Sequence, residues 1–213
     1  MNPLLPLATA CALAYLPLTA RRVSRMRSII KTLSVALLAL AAASGQGPML
    51  LVTALALCAL GDWLLSRDGD TAFMAGIAAF AAGHLAYIAL FLTHPLTDTA
   101  RLGQSPHIWA VAGFVLLGGG MAMVLAPRAG VLRLPVLGYI PIILGMGVAS
   151  LALPVQGALI WALPAAVAFV TSDLVLAAEK FLLPDGHVAR RVTPHVIWPL
   201  YWGAQAGFYA AFA

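Results

Sequence analysis

The chain has 213 residues, of which 62% are hydrophobic and 9% charged, with a mean hydropathy of +0.98. A soluble domain carries about a quarter charged residues, so this composition excludes one and predicts a membrane protein made of several apolar spans. The net charge of +5 is not a nucleic-acid signal, because the basic residues follow the edges of the apolar runs, and no nucleic-acid partner is expected.

In chain order, apolar runs bounded by charges or turn residues predict eight helices, near 3–20, 29–44, 48–65, 72–93, 107–126, 132–151, 156–178 and 195–212. The expected fold is an all-α bundle of eight transmembrane helices, a single transmembrane domain over residues 1–213 with no room for a soluble one. The first run is followed, not preceded, by Arg21, Arg22, Arg25, Arg27 and Lys31, the reverse of a cleavable signal, and reads as a span with the N-terminus outside. Cys11 and Cys58 fall on different spans and read as small buried hydrophobes. Small residues crowd the fourth and fifth runs (Ala72, Gly76, Ala79 and Gly83, then Gly118 to Gly120), a signal of close helix packing.

Alternating the loops across the membrane puts Arg21, Arg22, Arg25, Arg27, Lys31, Arg67, Arg128, Arg133, Lys180, Arg190 and Arg191 on one side and Arg101 alone on the other. The positive-inside bias makes the first side cytoplasmic, with both termini outside. Leu60-Gly61-Asp62-Trp63-Leu64-Leu65 and Thr171-Ser172-Asp173-Leu174-Val175-Leu176 echo each other, as a four-plus-four parallel repeat would require.

Asp62 and Asp173 are the two acids within the spans. A carboxylate in hydrocarbon costs roughly 2.5–3.5 kcal/mol, which marks both as functional candidates. Tyr139, Tyr201, Gln205 and His84 fall in the same half of the membrane, and such polar groups need one another around a small cavity. Counting from the helix ends, Asp173 reads as the more buried acid and Asp62 as the one nearer water. On the last span Trp198, Tyr201, Trp202, Gln205 and Tyr209 share a helical face, and on the fourth Phe73, Phe80, His84, Tyr87 and Phe91 do so. An aromatic wall with polar tips suits a lipid chain bearing a polar head. The plainer readings are interfacial belt or packing residues for Trp161 and Trp198, and a packing histidine for His84. A metal site needs three or four converging ligands, which His84, Asp62 and Asp173 barely supply; no metal or other cofactor is expected.

Several of these fragments are diagnostic together. Gly61-Asp62 with Leu64-Leu65, Gly83-His84-Leu85-Ala86-Tyr87 followed by Phe91, Tyr139 with Met146, Ser172-Asp173 with Ala177 and Lys180-Phe181, and Tyr201-Trp202 with Ala204-Gln205 occur in this order. From the third span to the end, the chain resembles the YhhN family of eight-helix membrane proteins, whose characterised animal members are lysoplasmalogenases. Trp202, in place of a second tyrosine, and Glu179, in place of an uncharged polar residue, depart from the family pattern.

The resemblance implies hydrolysis of the vinyl ether of an alkenyl lysophospholipid to a fatty aldehyde and a glycerophospho-alcohol, with both aspartates required. The chemistry of the residues agrees. Vinyl ether cleavage begins with protonation of the β-carbon and needs one protonated carboxyl and one ionised one, as in glycoside hydrolysis. Asp173 is expected as proton donor and Asp62 as its ionised partner, with the reverse assignment open. His84, Tyr87, Tyr139, Ser172, Lys180, Tyr201 and Gln205 are expected against the substrate. Lys180 and Arg191 are placed to meet its phosphate, but for these two the reading as topology signals is the stronger. The expected partners are a lysophospholipid and membrane lipids, and the expected setting is a bacterial inner membrane with the cavity towards the cytoplasm. The rival readings are a proton-coupled transporter or lipid-binding protein, and a hydrolase of another lysolipid.

Overall fold

A computed structural model describes residues 2–21 and 24–213, so that Arg22 of the first basic loop lies outside the described residues. Those residues form eight α-helices: α1 (Leu4–Tyr15), α2 (Arg25–Ser44), α3 (Met49–Leu65), α4 (Asp70–Thr93), α5 (His107–Leu125), α6 (Arg133–Ser150), α7 (Ala162–Phe181) and α8 (Thr193–Phe212). The helix number agrees with the apolar runs. By length and composition five are apolar enough to cross a membrane: α2, α4, α5, and α6 and α7 with the short 3-10 turns before them. The molecule is an all-helical membrane bundle.

The ends follow local chemistry. Ser24 caps α2, its hydroxyl accepting from the Arg27 amide at 3.2 Å. The turn from Gly45 to Pro48 stops α2 and starts α3, with the Gly47 amide closing on the Ala42 carbonyl at 2.8 Å. Two ends differ most from expectation. The first run breaks at Leu16 into a 3-10 turn that holds Pro17, and the seventh opens with a 3-10 turn over Gly157–Trp161 before α7 begins at Ala162. Pro154 and Pro164 flank that turn, and each denies an amide to a regular helix.

The tightest pairs are α3 with α4 and α7 with α8. On α3, a Cβ at Gly61 would stand 2.6 Å from the Phe80 ring of α4. On α4, a Cβ at Gly83 would meet the Cys58 sulfur at 3.0 Å. The backbones therefore close to a distance that only small residues allow. Phe80, Phe169 and Tyr201 then join α4, α7 and α8 edge to face, with centroids 5.2 to 6.3 Å apart. Towards the far end Tyr87 and Phe91 of α4 pack on Phe208 of α8. The indole of Trp198 is buried and donates to the Ala12 carbonyl at 3.0 Å, so this residue packs α8 on α1, whereas Trp161 is exposed. By contrast α5 buries only Leu125 and leans on α6, its outer face of Trp109, Leu116 and Met123 left open.

Gly61→Ala is expected to lower the thermal unfolding temperature in detergent, by about 1–3 kcal/mol of overpacking. Gly113→Ala, whose added methyl meets nothing within 4 Å, is expected to be neutral or slightly stabilising in the same assay.

Candidate active site

The helix ends that carry the basic loops surround a cavity of about 380 Å³. Its lining runs from Thr19, Arg27 and Lys31 on the α1–α2 side, past Asp62, Ser172, Asp173 and Tyr201, to Ile77, Met121, Ile140, Ile143 and Leu144 between α4, α5 and α6. It is polar at one end and apolar at the other, with the two acids between. This size and character suit a ligand with a charged head and a hydrocarbon tail.

Asp62 is the most enclosed acid. Its residue is 0% exposed. The Lys31 ammonium lies 2.8 Å from Oδ1, and the Tyr201 hydroxyl donates to Oδ2 at 2.7 Å. An ammonium at ion-pair distance and a phenol donor both favour the carboxylate, and they hold it in place from α2 and α8.

Asp173 is arranged differently. It is half-buried, opens on the cavity, and has no cation among its described contacts. The Tyr139 hydroxyl donates to its Oδ2, and the Tyr139 oxygen lies 2.8 Å from His84 Nε2. If the phenol gives its proton to Asp173, its oxygen accepts from His84, which makes His84 the Nε2–H tautomer. The His84 ring stands edge-on to Phe169 at 4.5 Å and its Nδ1 has no partner.

This geometry corrects the expected order of burial. Asp62, not Asp173, is the more buried acid. Distance from a helix end proved a poor guide, because α3 is wrapped by α2, α4 and α8 whereas α7 turns Asp173 to the cavity. The residues expected against the substrate also divide. Tyr139, Ser172, Lys180 and Tyr201 line the cavity. His84, Tyr87 and Gln205 do not: all three are fully buried behind its wall. There Tyr87 donates to Gln205 Oε1 at 2.6 Å and cross-links α4 to α8, while His84 touches the site only through Tyr139. Ser172 donates to the Ile197 carbonyl at 3.3 Å, and so serves the α7–α8 contact. Trp202 and Tyr209 rotate off the buried face of α8, and the exposed Arg191 lies outside the cavity lining.

Three charged cavity residues escaped the sequence reading as site groups, Glu179 among them. Lys31 and Arg27 were counted only as membrane-edge charges. Their i, i+4 spacing on α2 was the available signal, since it sets both on one face. Among the described residues no three His, Cys, Asp or Glu side chains converge as a metal site requires.

The profile of the YhhN family matches residues 26–212, and so extends the resemblance back across α2. Proteins of Mycobacterium bovis (strain ATCC BAA-935 / AF2122/97) and Mycobacterium tuberculosis (strain CDC 1551 / Oshkosh), both described as lysoplasmalogenase, are 34% identical to this chain over 166 residues. The matched segment covers 75% of this chain and 60% of each relative. No solved structure matches. With nearly its whole length matched by the profile, and with the paired aspartates of that resemblance facing one cavity, the chain belongs to the YhhN family.

Proposed function

We propose that this protein is a membrane hydrolase that cleaves the vinyl ether of alkenyl lysophospholipids, releasing a fatty aldehyde and a glycerophospho-alcohol. The observation that carries this reading is the inequality of two acids on one cavity: Asp62 has an ammonium at 2.8 Å, and Asp173 has none. The family membership and the lysoplasmalogenase relatives support the same substrate class.

In this mechanism Asp173, protonated, gives its proton to the β-carbon of the vinyl ether. The ether oxygen shares a lone pair with the α-carbon, and an oxocarbenium ion forms beside the Asp62 carboxylate, which stabilises it. Water adds to the α-carbon and loses one proton to the carboxylate pair, restoring the acid. The hemiacetal hydroxyl then gives its proton to the departing ether oxygen as the carbon–oxygen bond breaks. One water is consumed, and its oxygen leaves in the aldehyde. Tyr139 and Tyr201 hold the two acids, His84 orients Tyr139, and Lys31 keeps Asp62 charged and fixed.

The membrane arrangement is part of the proposal. All eight helices cross a bacterial inner membrane, both termini lie outside, and the cavity opens to the cytoplasm, supported by ten of the described basic residues clustering at its end of the bundle. The four-plus-four repeat gains support from the acids' partners. Asp62 on α3 is met from α2 and α8, and Asp173 on α7 is met from α6 and, through Tyr139, from α4. A shift of four helices converts one set into the other.

Asp62→Asn and Asp173→Asn are each expected to lower aldehyde release from an alkenyl lysophospholipid about 10²–10⁴-fold in purified, folded protein. Normal release from either variant would contradict the mechanism, and stoichiometric binding without product would favour a transporter or lipid-binding protein. Lys31→Met, which strands a buried carboxylate, is expected to cost about 3–5 kcal/mol of stability. Combining it with Asp62→Asn should recover most of that loss in thermal unfolding, since no unpaired charge remains.

A further inference from the structure

Six charged side chains line the cavity: Arg27, Lys31 and Lys180, against Asp62, Asp173 and Glu179. Most are already engaged. Lys31 pairs with Asp62, Glu179 accepts from the Thr193 hydroxyl, and the exposed Lys180 ammonium lies 4.8 Å from the centroid of the Phe73 ring. Arg27 stands apart. Its Nη2 donates to the Thr19 carbonyl at 2.8 Å, and its guanidinium carbon sits 5.7 Å from the centre of the Tyr15 ring. These contacts hold the fork in place. Yet its Nε is buried without an acceptor, and among the described residues no carboxylate pairs with it. Its Nη1 is neither buried nor hydrogen-bonded among those residues. A fixed guanidinium with such a free N–H and no counter-ion, on the wall of a cavity, is a ready site for an oxyanion.

Charge balance points the same way. With Asp173 holding the proton it donates, the lining carries one positive charge in excess. The phosphodiester anion of a head group placed at Arg27 offsets it locally, with the head-group ammonium beyond. So does the spacing. Arg27 lies about one helical turn, roughly 6 Å of rise, from the Lys31 that holds Asp62. The three-carbon glycerol unit of a lysophospholipid separates its phosphate from its ether oxygen by a comparable length. A head group at Arg27 also directs the chain past both acids into the apolar end formed by Ile77, Met121, Ile140 and Leu144.

We propose that Arg27 is the head-group subsite of this cavity, binding the phosphate of a lysophospholipid through its guanidinium and so setting the ether bond between Asp62 and Asp173. The assignment rests on the hydrolase reading for the identity of the lipid, but its test does not depend on turnover. A saturated hexadecyl ether of glycerophosphocholine keeps the phosphate and lacks the vinyl group, so it binds without reacting. Hexadecylglycerol is the same ligand without its phosphocholine, and inorganic phosphate is the anion without the lipid. Hexadecylglycerol phosphate restores the phosphate without the choline and is expected to keep the preference.

Binding of each probe to the purified full chain in detergent is read by titration calorimetry. The wild-type protein is expected to prefer the phospholipid over hexadecylglycerol by about tenfold or more. Arg27→Gln is expected to remove that preference while leaving hexadecylglycerol binding unchanged. Arg27→Lys, which keeps the charge and loses the fork, is expected to retain part of it, and it decides the matter if Arg27→Gln does not fold. No preference in the wild-type protein, an undiminished preference in either folded variant, or inorganic phosphate binding as tightly as the lipid would overturn the proposal. Vinyl ether hydrolysis with no head-group preference sinks the subsite alone. A head-group preference with no aldehyde release from the alkenyl lipid sinks the hydrolase reading alone.

Discussion

The ion pair between Lys31 and Asp62 is the interaction on which the rest of the site depends. The Asp62 carboxylate alone inside the bundle would cost several kcal/mol, and the Lys31 ammonium offsets that cost. The pair thereby fixes α2 against α3 at one level, and the Tyr201 hydroxyl brings α8 to the same carboxylate. The small residue before Asp62 matters for the same reason, because Gly61 lets Phe80 of α4 close over α3 on that side. What results is a carboxylate walled by three helices and held by two donors. Asp173, on α7, is left as the more open of the two acids on the cavity.

That inequality gives the site its chemical direction. Two equivalent carboxyls would compete for a proton and offer no defined donor. Here the ammonium is committed to one of them, and the other is supported by a phenol and a neutral imidazole tautomer, groups that can hold either form of a carboxyl. The cavity adds a second direction along its length, from the arginine and lysine at the α2 side to the aliphatic side chains between α4, α5 and α6. An amphiphile with an anionic head has one natural orientation in such a space. The loose attachment of α5, which buries only Leu125, leaves the apolar end the least constrained part of the bundle.

Much of this was legible in the sequence because hydrocarbon is an unforgiving solvent. Asp62 and Asp173 stood out by cost alone, and apolar runs marked all eight helices to within a few residues at most ends. Helical spacing put Phe80, His84, Tyr87 and Phe91 on the inward face of α4 and Tyr201 with Gln205 on that of α8. It did not separate the cavity wall from the sealed core behind it. His84, Tyr87 and Gln205 fell on the wrong side of that line, because the difference is made by rings from other helices, Phe169 and Phe208 among them. Lys31 was missed for a related reason. A lysine near a helix start reads as one more cytoplasmic charge, and a long side chain there ordinarily reaches out to water. Only the position of α3 beside α2 turns it inward.

The central claim is that the two aspartates differ in protonation before substrate arrives. Infrared spectroscopy of the purified protein at neutral pH reads this directly, through the carbonyl stretch of a protonated carboxyl group. The wild-type protein is predicted to show such a band, Asp62→Asn to keep it, and Asp173→Asn to lose it. A wild-type spectrum without the band, or a band that disappears with Asp62→Asn and survives Asp173→Asn, would contradict the assignment of donor and partner.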